Sequence, residues 1–234
     1  MTSPKRKRVG GDEPSALFAS LPHGAPPLLV VRWTGASWLD AEGPCLSDAE
    51  AAEAATMGAV RREAFVLGRT LARRTMAEVL GVPPLAVPLA RDADGRPLVP
   101  EHILSLTHTR IDGQAVAGVA LSGVAVGLDV EPIRPRATGL EQRILADGEA
   151  LPDWPTSEDA RLLAVWTAKE AVLKADGLGL RQGARAARIA WGNPEGEREA
   201  KGGAFTATSP NGRWAGQGIE QDGLVWAVAW AATL

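Results

Sequence analysis

The chain is 234 residues long, with 45% hydrophobic and 23% charged residues, so a packed core is expected and global disorder is excluded. Twenty-five basic and 28 acidic side chains leave a net charge of −3, and the basic side is lopsided, with 20 Arg to 5 Lys; nucleic-acid binding carried by bulk positive charge is thereby excluded. A single cysteine, Cys45, excludes a disulfide framework and a thiolate zinc cluster and points to a reducing, cytoplasmic setting.

The N-terminus opens on a basic run, Pro4-Lys5-Arg6-Lys7-Arg8, without the apolar core of a signal peptide. Residues 1–24, Pro- and Gly-rich after the basic run, read as a disordered tail. Without the four positive charges of that run the rest of the chain stands at −7. The segment 28–33 reads as a first strand. From Ser47 to Leu80 the signal is helical: Ser47 and Glu50 form a capping box, and Gly81 before Pro83-Pro84 is a stop. Segments 104–109 and 115–121 read as strands, and Ser122-Gly123 as a turn. The uncharged stretch Gly113–Leu128 has 16 residues. That is short of the roughly 20 needed to span a bilayer, and no membrane partner is expected.

The order then repeats. A strand over 124–130 leads to a second long helix over about 157–175, capped by Ser157 and stopped at Gly177. Strands follow at 188–191, 204–208, 213–219 and 224–231. The pattern predicts an α+β fold of two similar lobes, 25–122 and 123–234, related by a pseudo-twofold axis. Each lobe packs a long helix on a small, mainly antiparallel sheet, and a cleft between lobes is a common ligand site.

Three constellations carry chemistry. In Gly127-Leu128-Asp129-Val130-Glu131 the two acids lie two apart on one strand face, with Cα atoms roughly 6.6 Å apart. Two such carboxylates at about 4 Å repel by about 4 kcal/mol at an effective dielectric of 20. A divalent cation such as Mg²⁺ or a bound proton relieves that penalty; so does a strand end that emerges into solvent. In Trp166-Thr167-Ala168-Lys169-Glu170-Ala171-Val172-Leu173-Lys174, Glu170 and Lys174 share a helical face at i, i+4. Lys169 and Lys174 are two of only three lysines outside the tail, which hints that a compact ammonium is needed there. The third constellation joins the turn Asp94-Gly95-Arg96-Pro97 to Thr107-His108-Thr109, a histidine between hydroxyls at a strand end. It suits either a structural histidine or a phosphate clamp.

The first two constellations, about 35 residues apart, resemble the paired signature motifs of the 4′-phosphopantetheinyl transferase superfamily. Arg62-Glu63-Ala64-Phe65-Val66-Leu67-Gly68-Arg69, Gly95-Arg96-Pro97 and Leu106-Thr107-His108-Thr109 are similar to its other landmarks, in the right order. The length resembles that of the monomeric, two-lobed type that activates synthases. The resemblance implies transfer of 4′-phosphopantetheine from coenzyme A to a serine of an acyl or peptidyl carrier protein, with release of 3′,5′-ADP. It implies Mg²⁺ on Asp129, Glu131 and Glu170, with Glu170 and Lys174 catalytic and the general base one of the acids. It implies coenzyme A contacts from Arg62, Arg69, Arg96, Thr107, His108 and Lys174, with Arg73 a further candidate for the anion pocket.

The chain departs from the family at two places. Thr107 and Thr109 stand where serines are usual. Ser47–Ala54 is acidic where relatives place basic residues for the 3′-phosphate of coenzyme A. Two alternatives stay open: a non-catalytic relative that binds carrier protein or nucleotide, and another Mg²⁺-dependent phosphotransferase or hydrolase.

Overall fold

The computed structural model describes residues 13–18, 24–92, 96–135, 139–155, 157–179, 183–192 and 202–232. The basic run and the Asp94-Gly95 turn lie outside the described residues.

The first half forms β1 (Ser15–Ala16), β2 (Leu29–Gly35), α1 (Ala36–Glu42), α2 (Asp48–Ala55), α3 (Ala59–Leu80), β3 (Ala90–Arg91), β4 (Pro97–Val99), β5 (His102–Ile111) and β6 (Gln114–Ser122). The second half forms β7 (Val126–Pro132), α4 (Glu141–Ile144), α5 (Glu158–Ala175), β8 (Arg188–Trp191), β9 (Gly202–Ser209), β10 (Gly212–Gln221) and β11 (Leu224–Ala231). The strands make two sheets, one ordered β1-β2-β6-β5-β4-β3 and the other β7-β11-β10-β9-β8. All their pairings are antiparallel. This is the α+β architecture that the order of elements predicts.

Side-chain alternation decides how the layers stack. On β6, Ala115, Ala117, Val119 and Leu121 pack on Leu67, Leu71 and Met76 of α3. Val116 and Ala120 point the other way, into a core shared with Leu128 and Val130 of β7 and Trp226 and Val228 of β11. The second sheet covers its far face with α5, through Ala168, Val172 and Leu173 against Phe205, Ala227 and Ala229. The order across the molecule is therefore helix, sheet, sheet, helix, and the lobes share one apolar interior. At its centre Trp33 and Trp226 lie with ring centroids 5.5 Å apart. Gly118 makes room for Trp226, since a Cβ there would stand 2.6 Å from its ring.

Two features differ from the sequence reading. The helical signal over 47–80 is two helices, because Thr56, Met57 and Gly58 break it and α3 restarts at Ala59. The Ser47–Glu50 box caps α2 in both directions, as expected. Residues 13–18, within the segment read as tail, pair Ser15 with Trp33 and bury Leu17 and Phe18 in the shared core. Two bulky apolar side chains that find a hydrophobic seam between sheets are held by burial, which outweighs the loop-like composition around them.

Candidate active site

The acidic strand and the second long helix meet because one position between them lacks a side chain. On β7, Leu128 and Val130 face the shared core while Gly127, Asp129 and Glu131 face α5. A Cβ on Gly127 would stand 1.9 Å from the Ala171 carbonyl oxygen, so only glycine permits this approach. The closeness brings Asp129 to the Glu170–Lys174 turn of α5. The Lys174 ammonium donates to Asp129 Oδ1 at 2.6 Å, to the Leu128 carbonyl at 3.0 Å and to Thr107 Oγ1 at 3.4 Å. Thr107, on the face of β5 turned toward the second lobe, donates its hydroxyl to Asp129 Oδ1 at 3.2 Å. Ser105, two residues earlier on the same face, accepts the Leu128 N–H at 3.0 Å. The two lobes are thus hydrogen-bonded to each other at the site.

Glu170 is buried beside this group. Burial raises its pKa, the Asp129 and Glu131 carboxylates add to the rise, and Lys174 opposes it; the result is about 7. A carboxyl poised there is suited to moving a proton near neutral pH. Asp129 Oδ2 is buried and has no hydrogen-bond partner. An orphaned carboxylate oxygen, beside a Glu170 that feels both its charge and that of Glu131, fits a hard divalent cation by donor chemistry. Among the described residues, no three His, Cys, Asp or Glu side chains are already gathered as a metal cage. Lys174 takes up the Asp129 charge in the present arrangement.

On the opposite face of β5, His108 opens into a second recess. A cavity of about 300 Å³ there is lined by Arg61, Phe65, Arg69 and Arg91, with Thr107 and His108 along its edge. The Arg69 and Arg91 guanidiniums lie 5.7 and 5.2 Å from the Phe65 ring centroid. Arg69 Nη1 is buried without a hydrogen-bond partner. Burial and the Arg91 charge push the Arg69 pKa down, and Glu50 opposes them. His108 is open to solvent on one side; protein crowding its other side, with Lys174, pushes its pKa below the ordinary value. Three guanidiniums, one of them incompletely bonded, make a pocket for an anion. A third recess, about 550 Å³, runs between the lobes from Lys174 to Arg96 and the apolar Leu98 and Leu178. Arg96 fits over Gly177, where a Cβ would stand 2.6 Å from its Nη1.

The structure therefore joins Asp129, Lys174 and Thr107 by hydrogen bonds and sets Glu170 within reach of the Asp129, Glu131 and Lys174 charges, without gathering the three acids into a cage, and it places His108, Arg69 and Arg96 around them. It places two other arginines elsewhere. Arg62 donates to the carbonyls of Ala54 and Met57 at the end of α2, at 3.1 and 2.9 Å. Arg73 donates to Glu50 and to the carbonyls of Pro84 and Val87. Lys169 also turns away from the site. Wholly buried, its ammonium donates to Glu149 at 2.6 Å and to the Ala187 carbonyl at 2.8 Å. Its rarity thus reflects an internal staple. Sequence reasoning missed Arg61 and Arg91. A helical-face argument could have found Arg61, which lies at i−4 and i−7 from Phe65 and Gly68. Arg91 arrives on a two-residue edge strand that carries no pattern.

Comparison with known proteins bears on what this arrangement does. A family described as the 4′-phosphopantetheinyl transferase superfamily matches residues 125–229, and one described as the 4′-phosphopantetheinyl transferase N-terminal domain matches residues 49–120. The two matches follow one another along the chain, one to each lobe. No curated protein matches it.

Proposed function

We infer the activity from one premise: the chain belongs to the 4′-phosphopantetheinyl transferase superfamily. It is a transferase of phosphopantetheine. The proposed reaction uses coenzyme A as donor and a serine hydroxyl of an acyl or peptidyl carrier protein as acceptor, and releases 3′,5′-ADP. The observation that carries the reading is the Lys174 ammonium held between Asp129, Thr107 and the Leu128 carbonyl, beside a Glu170 carboxyl with a pKa of about 7. A non-catalytic binding protein has no evident need for that arrangement.

Glu170 takes the proton from the attacking serine hydroxyl, directly or through water. The serine oxygen forms a bond to the phosphorus that carries pantetheine, and the bond from that phosphorus to the oxygen of the departing 3′,5′-ADP breaks. Lys174, pinned on three acceptors, sets a fixed positive charge beside the pyrophosphate. Asp129, Glu131 and Glu170 would hold Mg²⁺, which when bound neutralises charge developing on the leaving phosphate. Arg61, Arg69 and His108 bind the nucleotide's remaining phosphate, Arg91 lines the same cavity while paired with Glu53, and Arg96 flanks the cleft toward Lys174. Both halves of the site come from one chain, which supports a monomer.

The test is mass spectrometry of an apo carrier protein incubated with this protein, coenzyme A and Mg²⁺. A gain of one phosphopantetheine is expected. Folded protein that adds nothing across fatty-acid, polyketide and peptide carriers would overturn the assignment.

A further inference from the structure

Segment 47–54 has the wrong sign for a phosphate-binding stretch, yet α2 packs its acids against the arginines that line the pocket. Glu50 is buried, 7% exposed, and divides its two oxygens. Oε2 accepts from the Ser47 N–H at 2.9 Å and from Arg73 Nε at 2.7 Å. Oε1 faces Arg69 Nε at 3.7 Å and has no hydrogen-bond partner. Arg69 and Arg73 are one turn apart on α3, so their like charges repel. The carboxylate between them offsets that repulsion; Arg69 lines the cavity, and its buried Nη1 has no hydrogen-bond partner. One residue of the pair is spent on structure and the other is held for the ligand. Glu53, which itself lines the cavity, pairs with Arg91 at 2.9 Å and offsets its charge. With Arg73 and Arg91 offset by these acids, Arg61 and Arg69 remain as two positive charges. That matches a phosphomonoester, which carries about −1.5 to −2 at neutral pH.

We propose that Glu50 is a positioning residue for the phosphomonoester of the nucleotide: it acts through Arg69, fixing the guanidinium that reads the 3′-phosphate of coenzyme A. The inference rests on the coenzyme A reading above. It assigns to an acidic helix the task for which basic residues were expected in the same segment.

The test compares coenzyme A with 3′-dephospho-coenzyme A, in transfer kinetics of the full chain. Wild type is expected to prefer coenzyme A through KM. In Glu50→Gln that preference falls about fivefold, because the Glu50–Arg69 contact at 3.7 Å is a charge–charge contact and not a hydrogen bond. The loss appears as a raised KM for coenzyme A, with kcat and the dephospho substrate unchanged. Glu50→Asp, which keeps the charge but withdraws it, gives an intermediate loss and serves if Glu50→Gln does not fold. Ser47→Ala removes the helix cap but keeps the carboxylate, so it lowers stability and leaves the preference intact. Glu50 variants that lose both substrates equally, or retain the full preference, overturn the proposal. Calorimetry with 3′,5′-ADP and 5′-AMP reads the same ratio without turnover. An unchanged binding ratio there sinks the Glu50 role, whereas failed transfer with a changed ratio sinks only the activity.

Discussion

Glu170 holds its proton at pH values where an exposed glutamate has lost it. Its pKa in the folded protein, about 7, stands above the ordinary 4.5, so the folded state binds this proton more tightly than the unfolded chain does. The stabilisation that goes with the neutral carboxyl is full below pH 4.5, declines as pH rises through 7, and is absent above. Its size is about 3 kcal/mol. Without metal, Glu170→Gln is therefore expected to melt higher than wild type at pH 8 and close to it at pH 4.5, and with Mg²⁺ and coenzyme A present it should lose transfer. Thermal scans at the two pH values check this, and equal melting temperatures at pH 8 would count against a strained carboxylate. Lys169 sits one residue away and answers to different physics. Lys169→Met leaves the Glu149 carboxylate buried opposite an apolar group, a loss of about 3 kcal/mol. Activity per folded molecule should hold, because the side chain faces away from the site. Denaturant titration together with an activity assay separates the two effects.

At the scale of elements, the site depends on how near β7 and α5 come to each other. The Gly127 Cα lies against the Ala171 carbonyl, and that contact fixes where Asp129 stands relative to Glu170 and Lys174. Gly127→Ala forces the strand and helix apart and is expected to cost about 3 kcal/mol or more. It should also abolish transfer, since a displacement of about 1 Å at a reacting centre costs on the order of a hundredfold. Chemical denaturation and the carrier assay measure both; a stable, active alanine variant would refute the close approach. Glycine at 127 was visible in the signature motif. That it faces a helix backbone was not, because the partner lies more than forty residues further along.

At the scale of the molecule, the two lobes share one interior, so they are expected to unfold together. Leu17 and Phe18 reach that interior from a short N-terminal strand and pack with Trp33, Trp226 and Trp230. Leu17→Ala should lower stability by about 2–5 kcal/mol, the range for a buried leucine, and leave a single calorimetric transition. Two resolved transitions would mean that the lobes have separate cores. The shared interior also bears on function: β5 and β7 are hydrogen-bonded through Ser105 and Thr107, so the site is assembled by the same contact that joins the lobes.

The sequence by itself determined the α+β class, the helical segments on either side of the break at 56–58 and over 158–175, the Ser47 and Ser157 caps, and the Asp129, Glu170 and Lys174 side chains that meet. Those features are local: periodicity, capping chemistry and i, i+4 spacing act within a few residues of chain. It also determined the family, through two motifs that both lie within the match to residues 125–229. Only the tertiary structure decided which arginines face the ligand. Arg62 and Arg69 stand seven apart on α3 and look alike in sequence, but Arg62 caps the end of α2 while Arg69 lines the pocket. Long side chains are committed by whichever acceptor packs against them, and the packing of α2 on α3 is a property of the fold.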